Sequence, residues 1–270
     1  MTENEWMLTS VLDCRRVDLA VNKGELTPFQ RSRYDQMRFR RAQGEPLQYI
    51  IGQCDFMGIP LSVDRRALIP RPETEILVDL TIEKIRAMPK KALNVLDLGV
   101  GSGNITVALL RYFTEMNVTA IDISDDALAL AVKNATANNV EQRIEFLNND
   151  MVLYMKEAIR QGEKFDVIVS NPPYIPTGQL AQLPDDVRRE PRLALDGGDD
   201  GLRFYRSIIE YGWQFLTANG FLVMEIGDGQ REGIEKIFAQ YPQYGEIKFY
   251  KDYVGTQRIV FARLGGSWKN

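Results

Sequence analysis

Histidine is absent from this chain of 270 residues. Without imidazole, a serine or cysteine nucleophile cannot be paired with a histidine base, and a metal cannot be bound by histidine. Hydrolases built on a Ser-His or Cys-His pair are therefore excluded. Any reaction that the protein catalyses must use other groups.

Cysteine is scarce as well, since the sequence contains only Cys14 and Cys54. Their spacing matches no metal-binding motif, so we expect no metal site. A low cysteine count is typical of a reducing compartment and predicts a cytoplasmic protein. The segment from Met1 to Trp6 lacks the basic and apolar regions of a signal peptide, and no apolar run is long enough to span a membrane. We therefore expect no membrane association.

The chain also lacks an excess of positive charge, because its formal net charge is -4 and its pI is about 5.2. Proteins that bind a nucleic-acid backbone are usually basic. We therefore expect no stable nucleic-acid partner, although a local basic patch could still provide one.

The N-terminal part of the sequence predicts helices. Thr27 and Pro28 are a good N-cap and first-turn pair, and helix-forming residues continue from Phe29 to Gln43. Residues 1–45 are therefore predicted to form a small helical domain. This segment carries basic residues that form either a solvated helix face or a docking surface for an acidic or RNA-bound partner: Arg31, Arg33, Arg38, Arg40 and Arg41.

A different pattern begins at Gln48. Apolar residues stand among turn-forming glycines as far as Val63, which predicts a β-hairpin. Two prolines then interrupt the chain, and Pro72 is well placed to begin a helix. We assign residues 46–71 to a β-hairpin linker between the helical domain and the rest of the chain.

Residues 72–270 alternate between predicted strands and helices. Such alternation predicts an α/β fold in which helical crossovers join parallel strands and cover both faces of the sheet. After Gln243, two segments around Gly255 predict an antiparallel pair at the end of the domain. The candidate strands are Ala92–Leu98, Val118–Ile123, Ile144–Leu147, Phe165–Ser170, Phe221–Ile226, Ile247–Tyr250 and Arg258–Ala262.

A glycine-rich loop follows the first of these strands. Its sequence, Asp-Leu-Gly-Val-Gly-Ser-Gly from Asp97 to Gly103, lets the backbone turn sharply and lets a ligand approach the main chain. The loop has no Gly-Lys-Ser/Thr ending, which excludes a P-loop for nucleoside triphosphates. Dinucleotide sites and simple tight turns also use glycines, so the loop alone does not identify the ligand.

Acidic residues follow the next two predicted strands. Asp122 ends the second strand, where a carboxylate can accept hydrogen bonds from ribose hydroxyls, or where it can cap the following helix. Asp150 follows the third strand and is placed to reach an adenine amino group. Together these strand ends predict a site for an adenosine-containing ligand, with candidate contacts Asp97, Gly99, Gly101, Gly103, Asp122, Ile123, Asp150 and Asn171.

The fourth predicted strand runs into Asn171-Pro172-Pro173-Tyr174. The plain interpretation is a turn that ends the strand. Proline has no N–H, however, so the side-chain oxygen of Asn171 and the carbonyl of Pro172 can both accept from an NH₂ group. Tyr174 offers a flat face to a planar group. The turn therefore predicts a substrate with a planar NH₂ on a carbonyl or on a base ring.

The combination Asp-x-Gly-x-Gly-x-Gly and Asn-Pro-Pro-Tyr resembles the S-adenosylmethionine-dependent methyltransferases that act on adenine N6, guanine N2 or glutamine N5. Further segments are similar to the HemK/PrmC glutamine methyltransferases, and the resemblance covers nearly the whole chain. These segments are Pro46–Gly52, Phe56–Gly58, Leu68–Glu75, Glu190–Gly198, Asp200–Gly201 and Glu225–Gly227 with Gln230.

The resemblance implies a seven-stranded Rossmann-like fold, the cofactor S-adenosyl-L-methionine and the product S-adenosyl-L-homocysteine. It implies methylation of N5 in the glutamine of the Gly-Gly-Gln motif of class-1 peptide-chain release factors. Asn171 and Pro172 would hold the glutamine amide and Tyr174 would pack beside it, which makes these the expected catalytic residues. Further substrate contacts are expected from Pro173, Arg71 and Glu73.

Three alternatives remain at this point. A ribosomal-protein glutamine N5-methyltransferase shares the Asn-Pro-Pro-Tyr turn, but the segment Arg71–Glu75 favours a release factor. A nucleic-acid amino-group methyltransferase would need a basic surface and room for a flipped base, and the acidic pI argues against it. A binding module without activity should have lost motif residues, and the glycine loop, Asp122 and Asn171 are intact.

Overall fold

The computed structural model describes residues 2–21 and 25–265. The predicted domains 1–45 and 72–270 therefore include residues 1, 22–24 and 266–270, which lie outside the described residues. The described N-terminal helices are α1 (Glu3–Leu12), α2 (Arg16–Val21), α3 (Pro28–Ala42) and α4 (Leu47–Ile51).

The sequence itself explains where α1 and α3 begin. Thr2 with Glu5, and Thr27 with Gln30, form capping boxes in which each side chain satisfies a backbone N–H that the helix leaves unpaired. The helices pack around a small apolar cluster of their own, formed by Met7, Val11, Met37 and Ile50.

The predicted hairpin over Gln48–Val63 is wrong in its first part, because Leu47–Ile51 is the helix α4. Gly52 ends that helix in the left-handed conformation, with φ of 83°, and its N–H bonds to the carbonyl of Gln48. The glycine read as a strand turn is therefore a helix C-cap. The hairpin consists of β1 (Gln53–Phe56) and β2 (Ile59–Ser62).

The remaining described residues form an α/β unit whose sheet has seven strands in the order β5-β4-β3-β6-β7-β9-β8. The strands are β3 (Leu93–Leu98), β4 (Met116–Asp122), β5 (Ile144–Asn148), β6 (Phe165–Ser170), β7 (Leu216–Glu225), β8 (Tyr244–Lys251) and β9 (Gln257–Leu264). The helices are α5 (Pro72–Arg86), α6 (Asn104–Tyr112), α7 (Asp125–Ala137), α8 (Met151–Gln161), α9 (Arg203–Phe215) and α10 (Arg231–Phe238).

The strand directions confirm the predicted fold class. Strands β3 to β7 pair in parallel, and β9 runs antiparallel to β7 and β8. The strand β7 begins at Leu216, earlier than the predicted Phe221, because its first part pairs irregularly with β6 and has the small and polar residues of a turn. In the described ranges, no helix is long and apolar enough to cross a membrane.

Two apolar clusters cover the two faces of the sheet. Val95 and Leu96 are neighbours in β3, yet Val95 packs in one cluster and Leu96 in the other. Successive side chains of a strand point to opposite faces, so a parallel sheet buried on both sides needs continuous apolar strands. Fully burying each such side chain contributes about 1.5–3 kcal/mol. The middle parts of the strands are therefore occupied mainly by apolar side chains that pack in the core, and polar groups gather where the strands end.

Candidate active site

A cleft with a volume of about 190 Å³ lies at the carboxyl edge of the sheet. In open α/β sheets this edge is where ligands bind. The ends of four adjacent strands contribute to its lining, with Gly99, Gly101, Asp122, Ile123, Asp150, Asn171 and Pro173 among the lining residues.

The glycine loop after β3 presents its backbone to the cleft. Gly99 and Gly101 have φ of 79° and 54°, in the left-handed region that favours glycine. The N–H of Gly101 donates to Asp122 Oδ2 at 2.9 Å, and a Cβ on Gly101 would meet no atom within 4 Å. Gly103 starts α6 and packs instead against α7, where an added Cβ would lie 3.2 Å from the Cβ of Ala131.

Asp97 lies behind this loop and is fully buried, away from the residues that line the cleft. Its Oδ2 accepts a hydrogen bond from Thr106 Oγ1 at 2.5 Å, while its Oδ1 has no partner among the described residues. Burial raises the pKa of Asp97 to about 7. Its predicted contact with the cofactor, like that of Gly103, stays a prediction.

Asp122 lies at the cleft as predicted, and it does not cap α7. The N-cap is Ser124, whose hydroxyl accepts from the N–H of Ala127. Asp122 instead accepts from two backbone N–H groups, those of Gly101 at 2.9 Å and Ser124 at 3.0 Å. Burial raises the pKa of this carboxyl, and the two N–H donors oppose that shift.

Asp150 both caps a helix and lines the cleft. Its Oδ1 accepts from the N–H groups of Val152 at 2.8 Å and Leu153 at 3.1 Å at the start of α8. Its neighbour along the cleft wall, Ile123, is 53% exposed and presents an apolar surface. The strand ends thus bring acidic and apolar groups together on one side of the cleft.

On the other side of the cleft, the Asn171 side chain is linked by hydrogen bonds to two residues that were not among the predicted site residues. Asn171 Nδ2 donates to Thr74 Oγ1 at 3.1 Å, and Thr74 Oγ1 donates to Glu225 Oε2 at 2.7 Å. The hydroxyl of Tyr174 donates to the other oxygen, Glu225 Oε1, at 3.3 Å. Burial raises the pKa of Glu225 to about 7. Thr74 and Glu225 both lie in segments that resemble the HemK/PrmC glutamine methyltransferases, and this resemblance is the signal by which the sequence could have indicated them.

The end of the Asn-Pro-Pro-Tyr turn is held by the loop before α9 and by the N-cap residue of α10. Ile175 exchanges backbone hydrogen bonds with Leu195 and Gly197, and Gln230 Nε2 donates to the carbonyl of Tyr174 at 2.8 Å. Pro172 and Tyr174 are not among the residues that line the cleft, whereas Asn171 and Pro173 are. The turn therefore reaches the cleft with Asn171 and Pro173 and is anchored at Tyr174.

Arg71 lines the cleft, but its guanidinium forms an ion pair with Glu190. Glu190 is 5% exposed, and its other oxygen accepts from the N–H of Ile69 at 3.0 Å. This pair holds the segment with Pro191 beside the cleft. Glu73 is not among the residues that line the cleft. Of the predicted substrate contacts Arg71 and Glu73, therefore, only Arg71 lies at the cleft.

Two families match the sequence. "Methyltransferase small domain" matches residues 75–183 and "PrmC N-terminal domain" matches residues 2–52. Among solved structures, a SAM-dependent O-methyltransferase from Thermotoga maritima shares the fold with a TM-score of 0.52 at 14% identity, covering 76% of this chain and 69% of that one.

Curated relatives are similar over almost the full length. The release factor glutamine methyltransferase of Thermodesulfovibrio yellowstonii is 37% identical over 98% of this chain and 93% of its own length. That of Geobacter sulfurreducens is 39% identical over 97% and 89%. The fold and the strand-end cleft are those of an S-adenosylmethionine-dependent methyltransferase. Within that class, the chain belongs to the release factor glutamine methyltransferase family.

The buried Asp97 predicts a pH-dependent stability. Between about pH 4 and 7 the folded state keeps a proton that the unfolded chain has lost, so the free energy of unfolding falls with rising pH by up to about 1.4 kcal/mol per unit. Asp97→Asn cannot titrate and should avoid this loss. Urea denaturation from pH 5 to 8 should show the variant gaining stability relative to wild type up to about pH 7, and no further. A difference independent of pH would contradict the raised pKa.

Gly197 predicts a sensitive packing contact. A Cβ at this position would lie 2.7 Å from the Tyr174 Cα, so Gly197→Ala must displace the turn. Methyl transfer should slow by roughly 100-fold while the protein stays folded, because a small misplacement of a reacting group has effects of that size.

The matched control is Gly178→Ala, where an added Cβ meets nothing within 4 Å. Steady-state kinetics and circular dichroism of both variants make the comparison. Equal rates in the two variants would show that the turn tolerates displacement.

Proposed function

We propose that this enzyme methylates N5 of the side-chain amide in the glutamine of the Gly-Gly-Gln motif of class-1 peptide-chain release factors. The observation that carries the proposal is the side chain of Asn171. Its NH₂ group is engaged by Thr74, and its oxygen accepts no hydrogen bond from the described residues. That oxygen is therefore free to accept an N–H from a substrate amide at the cleft.

The cleft fits the cofactor. The space in front of Gly101 leaves room for a ligand against the backbone, and the carboxylates of Asp122 and Asp150 can accept from ribose hydroxyls and from an adenine amino group. Ile123 can pack against the adenine ring. When bound, S-adenosylmethionine supplies an electrophilic methyl group on sulfur.

The substrate amide is a poor nucleophile because its nitrogen lone pair is delocalised. We propose that Asn171 Oδ1 accepts one N–H of the glutamine, and that the carbonyl oxygen of Pro172, a residue outside the cleft lining, accepts the other once the substrate is bound, which aims the nitrogen at the methyl carbon. An N–C bond then forms as the S–C bond breaks, and the nitrogen loses a proton to water. Such alignment is worth up to about 7–11 kcal/mol of the barrier, which suits a site without histidine.

We further propose that residues 1–45 form a domain that docks the release factor and that residues 72–270 form the catalytic domain. Residues 46–71 link the two. In α3, Arg40 and Arg41 form ion pairs with Glu45 and Glu3. The exposed aromatic and basic side chains of this helix that form no ion pair among the described residues are Phe29, Arg31, Arg33, Arg38 and Phe39, and the Arg38 guanidinium lies over the Tyr34 ring.

Because every glutamine carries the same amide, selection of one glutamine requires contacts beyond the pocket. We propose that the enzyme acts in the cytoplasm together with its release factor, and the net charge of -4 favours a protein partner over a nucleic acid.

The first test concerns the cofactor. Asp122→Ala should raise the Kd for S-adenosylmethionine by about 5- to 150-fold, the effect of leaving polar groups without partners. Asp125→Ala, which removes an exposed carboxylate nearby, should leave Kd unchanged. Isothermal titration calorimetry compares the two. Equal Kd values in Asp122→Ala and wild type would remove Asp122 from the cofactor site.

The second test concerns the reaction. Wild-type enzyme, cofactor and a purified release factor should yield one added methyl group on the Gly-Gly-Gln peptide by tandem mass spectrometry. Asn171→Ala should lower kcat by roughly 100-fold, because the amide loses its alignment, while the cofactor Kd stays within about twofold.

A release factor whose motif glutamine is replaced by alanine serves as the control and should remain unmodified. The proposed function fails if the wild-type release factor is left unmethylated, or if the methyl group is found on another residue.

A further inference from the structure

Two buried polar side chains form hydrogen bonds that lead to Asn171, and one of them, Thr74, also lines the cleft. Thr74 stands in the first turn of α5 and Glu225 is the last residue of β7, and each is 1% exposed. They come from elements far apart in the chain, yet they form one line of hydrogen bonds that ends at the Asn171 side chain. Buried polar groups carry a free-energy cost unless they are paired, so this arrangement needs an explanation.

The direction of the hydrogen bonds in this line follows from counting protons. Above a pH of about 7 the Glu225 carboxylate is ionised and only accepts, so the single hydroxyl proton of Thr74 is then directed to Glu225. The Thr74 oxygen can then only accept, and Asn171 must turn its NH₂ group toward it. The Asn171 oxygen consequently faces away from Thr74, and it accepts no hydrogen bond from the described residues.

We propose that Thr74 and Glu225 are positioning residues that fix the orientation of the Asn171 amide, so that an acceptor and not a donor meets the substrate. This inference rests on the proposed function. The two orientations of a carboxamide have the same shape, so hydrogen bonds alone distinguish them. In the flipped orientation, two oxygens without a proton between them would stand 3.1 Å apart at Thr74. At the cleft, the NH₂ group of Asn171 would then face the NH₂ group of the substrate glutamine, and two donors cannot form a hydrogen bond with each other.

The same carboxylate also steadies the far end of the turn. Glu225 Oε1 accepts from the hydroxyl of Tyr174, and the Glu225 backbone carbonyl accepts from the hydroxyl of Tyr205 at 2.9 Å. Glu225 pairs with Ile259 in the sheet, so its position is set by two neighbouring elements. One buried carboxylate thus connects Asn171 and Tyr174 to the rigid part of the fold.

The test uses Thr74→Val, which keeps the shape and removes the hydroxyl, and Thr74→Ser, which keeps the hydroxyl. In Thr74→Val, kcat should fall about 10- to 100-fold while KM for the release factor and Kd for the cofactor change by less than about threefold. Thr74→Ser should restore kcat to within about threefold of wild type. Wild-type kcat in Thr74→Val, or equal losses in both variants, would overturn the proposal.

Glu225→Gln provides a second route if Thr74→Val does not fold. A glutamine can donate or accept, so the Thr74 proton loses its fixed direction, and kcat should fall by about 10-fold with the cofactor Kd unchanged. Unchanged kcat in this variant would overturn the proposal.

A readout without substrate separates this inference from the proposed function. The side-chain NH₂ resonances of Asn171, assigned by their absence in Asn171→Asp, should shift in Thr74→Val and stay in place in Thr74→Ser. If the wild-type enzyme leaves the release factor unmethylated, the proposed function fails, and these resonances still report the orientation. Resonances that are the same in wild type and Thr74→Val would exclude the role of Thr74.

Discussion

Burial of both faces of the parallel sheet is the constraint on which the rest of the structure depends. Five parallel strands, β3 to β7, run through two apolar clusters, and their interiors leave no room for polar side chains that lack partners. Their carboxyl ends meet at one edge of the sheet. The chain can therefore gather groups for chemistry there, including Asp122 after β4 and Asn171 after β6, without disturbing the packing that holds the sheet together.

The buried carboxylates at this edge show three ways of keeping an acidic group in an apolar setting. Glu190 is paired with Arg71, whose side chain is 30% exposed, so the charge of the buried carboxylate is balanced at the rim of the cleft. Asp122 accepts from two backbone N–H groups, which oppose the rise that burial gives its pKa, while burial raises the pKa of Asp97 and Glu225 to about 7. These carboxylates fix loops and neighbouring side chains. Except for Asp122, they do not line the cleft themselves, so they support the groups that do.

Much of the fold could be predicted from the sequence because its signals are local. Alternation of strand and helix predicted the sheet, and the spacing of the glycine loop predicted the turn after β3. The segment Leu47–Ile51 was misread because glycine ends helices as readily as it turns hairpins, and only packing of Ile50 against Met7 distinguishes the two. Thr74 and Glu225 are separated by 151 residues, so no local pattern could reveal that their side chains meet.

A site without histidine must rely on the alignment of the substrate more than on proton transfer. This explains why the side chain of Asn171 is held by hydrogen bonds that lead through Thr74 to Glu225. An acceptor can align a substrate amide only if it cannot rotate into a donor. A carboxamide on its own offers both orientations equally, whereas a threonine whose proton is already given to a carboxylate allows one. The rigidity needed for alignment therefore comes from Glu225, at the end of a strand in the sheet, and Thr74 transmits it to the Asn171 side-chain oxygen that would meet the substrate.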